Sequence, residues 1–400
     1  MNTKIFVGLI ASGATVACTG EVPVVFSGGG VFNGEGGSWN PGVVVVEAGR
    51  IACAGEVSDC TAPPGAELID TEGAWVIPGI INARVGTEPD PPDEQVAYLR
   101  FLLGVTAAGS IPVDFAVGNP DARIPAPRPL EGKSAERLLR QALAGAGADV
   151  ADPAGGGEAR TVAFFQRSAW ALADRETLLD SARAFARRGE ILAPELLDLE
   201  VWAAPYRLPH GLNPLVLHPL ITFRIQDRTL PDRTPQEAEI LAEAVQAMRE
   251  FTLEFSANGG RLAVATGEAL APGLAAHEGV RALVDAGLSP GEALMAATSG
   301  SAALLGVADS LGSITPGKLA DLLIVAGNPL TDITTTQTIS RVVKGGVVYD
   351  PVVLFDAILE DPGSRVSADR RRVNIALGVL AAALLLVGGT VITHRRALAR

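Results

Sequence analysis

Histidine is nearly missing from this chain. Its 400 residues hold only His210, His218, His277 and His394, and the last falls in the C-terminal tail. A metal centre built on several imidazoles therefore has three scattered positions to draw on. Aromatic residues make up only 5%, so the core must be packed by small and branched aliphatic side chains. Positive charge is also short: the formal net charge is −13, and no basic patch interleaved with aromatics interrupts the chain. That excludes a nucleic-acid partner, which needs a concentrated basic face. Ser299 and Ser301 lack the Gly-x-Ser-x-Gly elbow of a serine hydrolase, and Ser299 belongs to a helical pattern. Gly28 to Gly30 are not followed by Lys-Ser/Thr, so they read as a flexible strand connection and not a phosphate loop.

Cysteine is limited to three. Cys53 and Cys60 sit in a segment that reads as two short strands around a turn. They fit a local disulfide if the chain reaches an oxidising compartment, and otherwise two small apolar side chains. Cys18 belongs to the N-terminus. There Lys4 precedes an apolar run from Ile5 to Ala17, too short to span a bilayer, which ends in Thr15-Val16-Ala17-Cys18. This reads as an export signal, residues 1–17, cleaved before Cys18. It also resembles a bacterial lipoprotein box, in which that cysteine is lipidated; Thr15 stands where such boxes usually carry a leucine-like residue. At the other end, Val373 to Thr393 is an apolar run long enough to cross a membrane, with Arg370 to Arg372 before it and His394, Arg395, Arg396 and Arg400 after it. The expectation is a body outside the cytoplasm, a linker over 353–372, a transmembrane helix over 373–393 and a basic cytoplasmic tail over 394–400.

Between these ends the chain changes character twice. From Glu21 to Asp70, Val/Ile-rich runs alternate with Gly, Pro, Asn and Asp, and Val43 to Ile51 reads as two strands around Glu47-Ala48-Gly49. From about Arg84 to Ser310, helical patterns alternate with short apolar runs, which suggests repeated βα units. Helix starts are marked at Ser134 and Asp174, by Thr234-Pro235 with Glu237, and by Ser289-Pro290 with Glu292. Glu195, Asp198 and Glu200 read as a solvated helix face.

Two stretches carry a resemblance. Trp75-Val-Ile-Pro-Gly-Ile-Ile-Asn-Ala-Arg-Val-Gly86 reads as a buried strand entered through a tight turn. It resembles the first barrel strand of the amidohydrolase superfamily, where Pro-Gly-Leu-Ile-Asp leads into His-x-His. The second stretch runs from Leu283 to Leu294, through Ala296 to Thr298 and Ala302 to Gly306, to Leu311 to Ile324 and Gly327 to Leu330. It resembles the C-terminal signature of imidazolonepropionase-like members. The resemblance implies an amidohydrolase-like (β/α) barrel over 77–310, trimmed in length, and a composite β-sandwich from 18–76 and 311–352.

It also implies a divalent-metal site, and here the chain departs from the family. Asn82 stands for the aspartate, Arg84 and Gly86 for the two histidines, Asp152 for the carboxylated lysine and Gly267 for the late aspartate. An arginine keeps its proton at accessible pH and cannot ligate. No catalytic residue, metal or cofactor is expected on this reading. The favoured expectation is a pseudoenzyme that binds an unidentified ligand or envelope protein. The alternatives are a divergent hydrolase of carbon–nitrogen bonds, using zinc or another divalent ion in a site rebuilt from His210, His218 and Glu268, and an envelope structural protein. His277 reads as a satisfied polar residue.

Overall fold

Residues 22–83, 104–108, 174–203, 235–266 and 273–352 are described by the computed structural model of this chain. Their strands, in chain order, are β1 (Val24–Ser27), β2 (Gly30–Phe32), β3 (Ser38–Trp39), β4 (Gly42–Glu47), β5 (Arg50–Glu56), β6 (Glu67–Asp70), β7 (Ala74–Pro78), β8 (Ile80–Asn82), β9 (Val105–Ala108), β10 (Ile191–Leu192), β11 (Arg261–Leu262), β12 (Leu322–Ala326), β13 (Ile339–Lys344) and β14 (Val347–Tyr349). Valine and isoleucine fill most of them because branched side chains suit a pleated, half-buried surface.

Two sheets form a sandwich from both ends of the described chain. One is four-stranded in the order β5-β4-β1-β6, and the other six-stranded in the order β14-β13-β12-β7-β2-β3. Strand β12 lies between β7 and β13 and is antiparallel to both, so segments far apart in the chain pair directly, Leu323 with Ile77 and Val325 with Trp75. Phe26, Val44, Val46 and Ile51 of the smaller sheet pack against Val76, Leu322, Ile324 and Val343 of the larger. A buried ion pair closes one corner: the Lys344 ammonium donates to Asp321, whose other oxygen accepts from Gly345 N at 2.8 Å. Ala320 N donates to Gly49 O at 2.9 Å nearby, tying the β4–β5 turn to the C-terminal segment.

Two expectations are corrected in this region. The stretch from Trp75 does not form a single strand: β7 runs through Pro78 in the sandwich, and β8 begins at Ile80 in a different sheet. The chain changes sheets at Gly79, whose N–H still bonds Asp321 O at 2.8 Å. Gly28 to Gly30, expected to be a flexible connection, is packed tightly. Gly29 N donates to Thr71 Oγ1 at 3.0 Å, and a Cβ on Gly29 would overlap the carbonyl oxygens of Thr71 and Ala74.

The second layer is a parallel sheet wrapped in helices. Strand β8 pairs in parallel with β9, and β10 with β11. Ala83 N donates to Val264 O at 2.8 Å and joins the two pairs. The helices are α1 (Arg175–Arg187), α2 (Leu196–Ala203), α3 (Pro235–Ala257), α4 (Leu274–Ala286), α5 (Pro290–Met295) and α6 (Ser301–Leu304), with a π-helical turn over Ala296–Gly300 between the last two. Strand β10 follows α1, and β11 follows α3, which is the βα alternation that the sequence suggests.

Asp174 caps α1 by accepting from Thr177 N at 2.9 Å, and this bond holds its carboxyl below the usual value. Ser289 and Glu292 form the expected capping box of α5. Thr234 and Ser134 lie outside the described residues. So does Val373 to Thr393; among the described residues no helix is long and apolar enough to cross a membrane.

Helices cover the parallel sheet on both faces. Ile81, Ala83, Ala193, Ala263 and Ala265 pack with Leu304, Leu305 and Leu311 on one side. On the other, α4 lies against Val264 and Thr266 at Gly279, where a Cβ would press on the Thr266 methyl group. Alanine and glycine permit this close approach, which is what the abundance of small residues provides.

Candidate functional site

In sheets of this kind, ligands gather at the carboxyl ends of the parallel strands, where the βα loops begin. Asn82 ends β8 there, and Thr266 stands at the corresponding end of the segment that follows β11. Both are buried, Asn82 at 4% and Thr266 at 1% exposure. Asn82 Oδ1 accepts from Thr266 N at 3.1 Å, while Asn82 Nδ2 donates to Thr266 Oγ1 at 2.7 Å and to Thr266 O at 3.3 Å. The backbone N–H can only donate, so it fixes which end of the amide is oxygen. The pair is a neutral clamp across two neighbouring strands at the site's base. Aspartate at position 82 would keep the acceptor and, when ionised, would offer no donor.

His277 lies on α4 and is 2% exposed. Thr336 spends its hydroxyl proton on Ile333 O at 2.9 Å, so the 3.1 Å contact between His277 Nδ1 and Thr336 Oγ1 requires an Nδ1–H donor. The histidine thereby pins α4 to the 3₁₀ turn over Ile333–Gln337. This agrees with its reading as a satisfied polar residue. Beside it Glu278 is fully buried. It accepts from Gln337 Nε2 at 2.8 Å and from Arg281 Nε at 2.7 Å, and Arg281 also bonds Asp285.

Glu195, just before α2, and Glu200 within it are a correction. Glu195 is 6% exposed, and Glu200 accepts from Arg249 of α3 at 2.7 Å. Burial raises the Glu200 carboxyl above its ordinary value, opposed by the Arg249 bond. Burial pulls Arg281 down, but Glu278, Asp285 and Glu200 outweigh it and hold the guanidinium protonated. This is a partly buried network of charges joining α2, α3 and α4, not a solvated face. The sequence carries a signal for it: Leu196, Leu197, Leu199 and Val201 crowd α2 so closely that little wet face remains for its acids.

Most of the residues singled out from sequence, namely Arg84, Gly86, Asp152, His210, His218, Gly267, Glu268 and Cys18, lie outside the described residues. Cys53 and Cys60 are described, and they are joined by a disulfide. Among the described residues no group of three or more His, Cys, Asp or Glu is placed to hold a metal ion. At the described strand ends, Asn82 is committed to Thr266, and Ala83 and Ala265 carry no side-chain donor atoms. The side chains described at these strand ends thus offer no imidazole, thiolate or carboxylate, the usual ligands of zinc.

Residues 224–349 match the family model described as the amidohydrolase family. Similar folds occur among solved structures. One is an amidohydrolase, 21% identical, covering 82% of this chain and 99% of that one with a TM-score of 0.53. Another is a prolidase complexed with N-methylphosphonate-L-proline, 18% identical, covering 82% and 100% with a TM-score of 0.52. No curated protein matches the sequence. The chain therefore matches the amidohydrolase family over residues 224–349 and shares its fold with solved amidohydrolase structures.

Proposed function

We propose that this protein is a pseudoenzyme of the amidohydrolase superfamily, exported and held at the membrane, which binds a ligand or a protein partner at the strand ends where its relatives carry out hydrolysis. One observation carries the reading. Arg84, Gly86 and Gly267 occupy positions where the family places two histidines and an aspartate, in a chain with three histidines outside its tail. The Asn82–Thr266 clamp supports it, because the base of the site is held by neutral hydrogen bonds that use no ion. Export is supported by the Cys53–Cys60 disulfide, a bond that persists in oxidising compartments. The 1–17 signal, lipidation at Cys18 and the 373–393 anchor belong to the same proposal.

Metal analysis of the purified full chain tests the central claim. The expected result is less than about 0.1 equivalent of zinc, manganese or iron, with no amidase, lactamase or dipeptidase turnover when those ions are added. Stoichiometric metal, with activity lost on chelation and restored on reloading, would overturn it. The second reading is a hydrolase of carbon–nitrogen bonds with a site rebuilt from His210, His218 and Glu268. It draws its support from the amidohydrolase and prolidase structures that share the fold. The triple variant His210→Ala/His218→Ala/Glu268→Gln would abolish turnover under that reading alone.

A further inference from the structure

The smaller sheet of the sandwich has two apolar faces, and only one meets the other sheet. Phe26, Val44 and Val46 point inward, while Val25, Val43 and Val45 point away from the partner sheet and are still only 2–3% exposed. The described residues that pack on this outer face are Cys60, Cys53 and Ala66. Their place in the topology explains how. Strand β5 is at one edge of the sheet and β6 at the other, with β4 and β1 between them, so the 57–66 connection must cross from edge to edge. It crosses on the outer face, and its first fixed point is the disulfide from β5 to Cys60.

Little else anchors the crossing. Asp59 N bonds Glu56 O at 2.9 Å, Glu56 N bonds the Asp59 carboxylate at 3.2 Å, and Ala66 N bonds Pro63 O at 3.2 Å. The first two tie Asp59 to the end of β5, beside the disulfide, and the third is internal to the strap. Val57 is 51% exposed, and Leu68 in β6, just beyond the crossing, is 68% exposed.

We infer that residues 57–66 are a redox-held strap: the Cys53–Cys60 disulfide keeps the outer valine face covered, and its reduction releases the strap while β6 stays paired with β1. The inference rests on the proposed export, since the bond forms only where a disulfide donor is at hand. In closing, the two thiols lose two electrons and two protons to that donor, whose own disulfide becomes a dithiol. In opening, a reducing dithiol supplies the two electrons and two protons and leaves as a disulfide. The chain therefore completes its fold after export, and before export it presents Val25, Val43 and Val45 to export chaperones or to aggregation.

Hydrogen exchange on the purified full chain, oxidised and then treated with dithiothreitol without denaturant, tests this. The expected result is exchange in 57–66 accelerated by up to roughly fifty-fold, the loop-closure effect of a cross-link with this separation, together with new binding of an apolar dye, while β6 keeps its protection. Helices α1 to α4 should keep their protection. The double variant Cys53→Ala/Cys60→Val, which keeps apolar volume, should reproduce the reduced pattern. Unchanged exchange over 57–66 in both samples would overturn the strap, as would uniform loosening of the whole molecule. Maleimide labelling of Cys53 and Cys60 in intact cells separates the two claims. Free thiols there defeat the export reading, whatever the purified protein does on reduction.

Discussion

Replacing Asn82 by aspartate is the sharpest perturbation of the site, because it changes one atom in a buried pair of known geometry. In the native protein Asn82 gives a donor to Thr266 Oγ1 at 2.7 Å and takes one from Thr266 N at 3.1 Å. A protonated aspartic acid reproduces both bonds, its hydroxyl taking the place of Nδ2. An ionised one keeps the acceptor, loses the donor and faces the Thr266 carbonyl across the distance that Nδ2 spans at 3.3 Å. Burial at 4% adds a desolvation cost, so the folded-state pKa of the introduced carboxyl rises above the unfolded value of about 3.9. An acid whose folded pKa is raised leaves stability intact below the unfolded pKa and removes it as pH rises through the window between the two. An unsatisfied buried group costs about 1–3 kcal/mol, and somewhat more when charged. Asn82→Asp should therefore match the native protein within about 1 kcal/mol near pH 4 and fall about 2–3 kcal/mol below it by pH 7. Urea unfolding followed by tryptophan fluorescence across that range measures it. A deficit that is the same at every pH, or none at pH 7, would refute the clamp.

Two further predictions follow from the buried charges. Glu200, raised above its ordinary 4.5 by burial, binds its proton more tightly folded than unfolded, so it makes stability fall as pH rises from about 4.5 through the raised value. Glu200→Gln, which keeps an oxygen for Arg249, should flatten that part of the stability–pH curve, and calorimetry at several pH values would show whether it does. Lys344→Met strands the Asp321 carboxylate, 6% exposed, and should cost about 3–5 kcal/mol. The double variant Lys344→Met/Asp321→Leu should recover a large part of that loss; no recovery would mean that Asp321 matters mainly through its bond from Gly345 N.

The sandwich was readable because its determinants are local. Branched runs such as Val43 to Val46, the Ala48-Gly49 turn and the Gly345-Gly346 hairpin each specify their element within a few residues. The capping box at Ser289 and Glu292 is equally self-contained. The exchange of sheets at Gly79 was not readable from the residues themselves; only the resemblance put a boundary nearby, between 76 and 77. Val76 and Ile81 look alike in sequence, and what separates them is the pairing of β7 with β12, at the far end of the described chain. Glu200 failed for a related reason: charge implies solvent until the partner Arg249 is brought against it by helix packing.

Asn82 shows what a substitution means when the pairing is known. In sequence it is one of several departures from a metal-binding pattern, no different in kind from Gly86. In the structure it is satisfied on both ends, and α4 closes over its partner at Gly279. A bound ion fixes the strand ends that ligate it, so a chain without one needs another means of holding them. On the proposed reading, the amide clamp, the close seat of α4 on Thr266 and the His277–Thr336 bond behind it supply that rigidity. The proposal gives binding to Arg84, two positions after Asn82 in the sequence, whose planar guanidinium suits an anionic group on a ligand or partner.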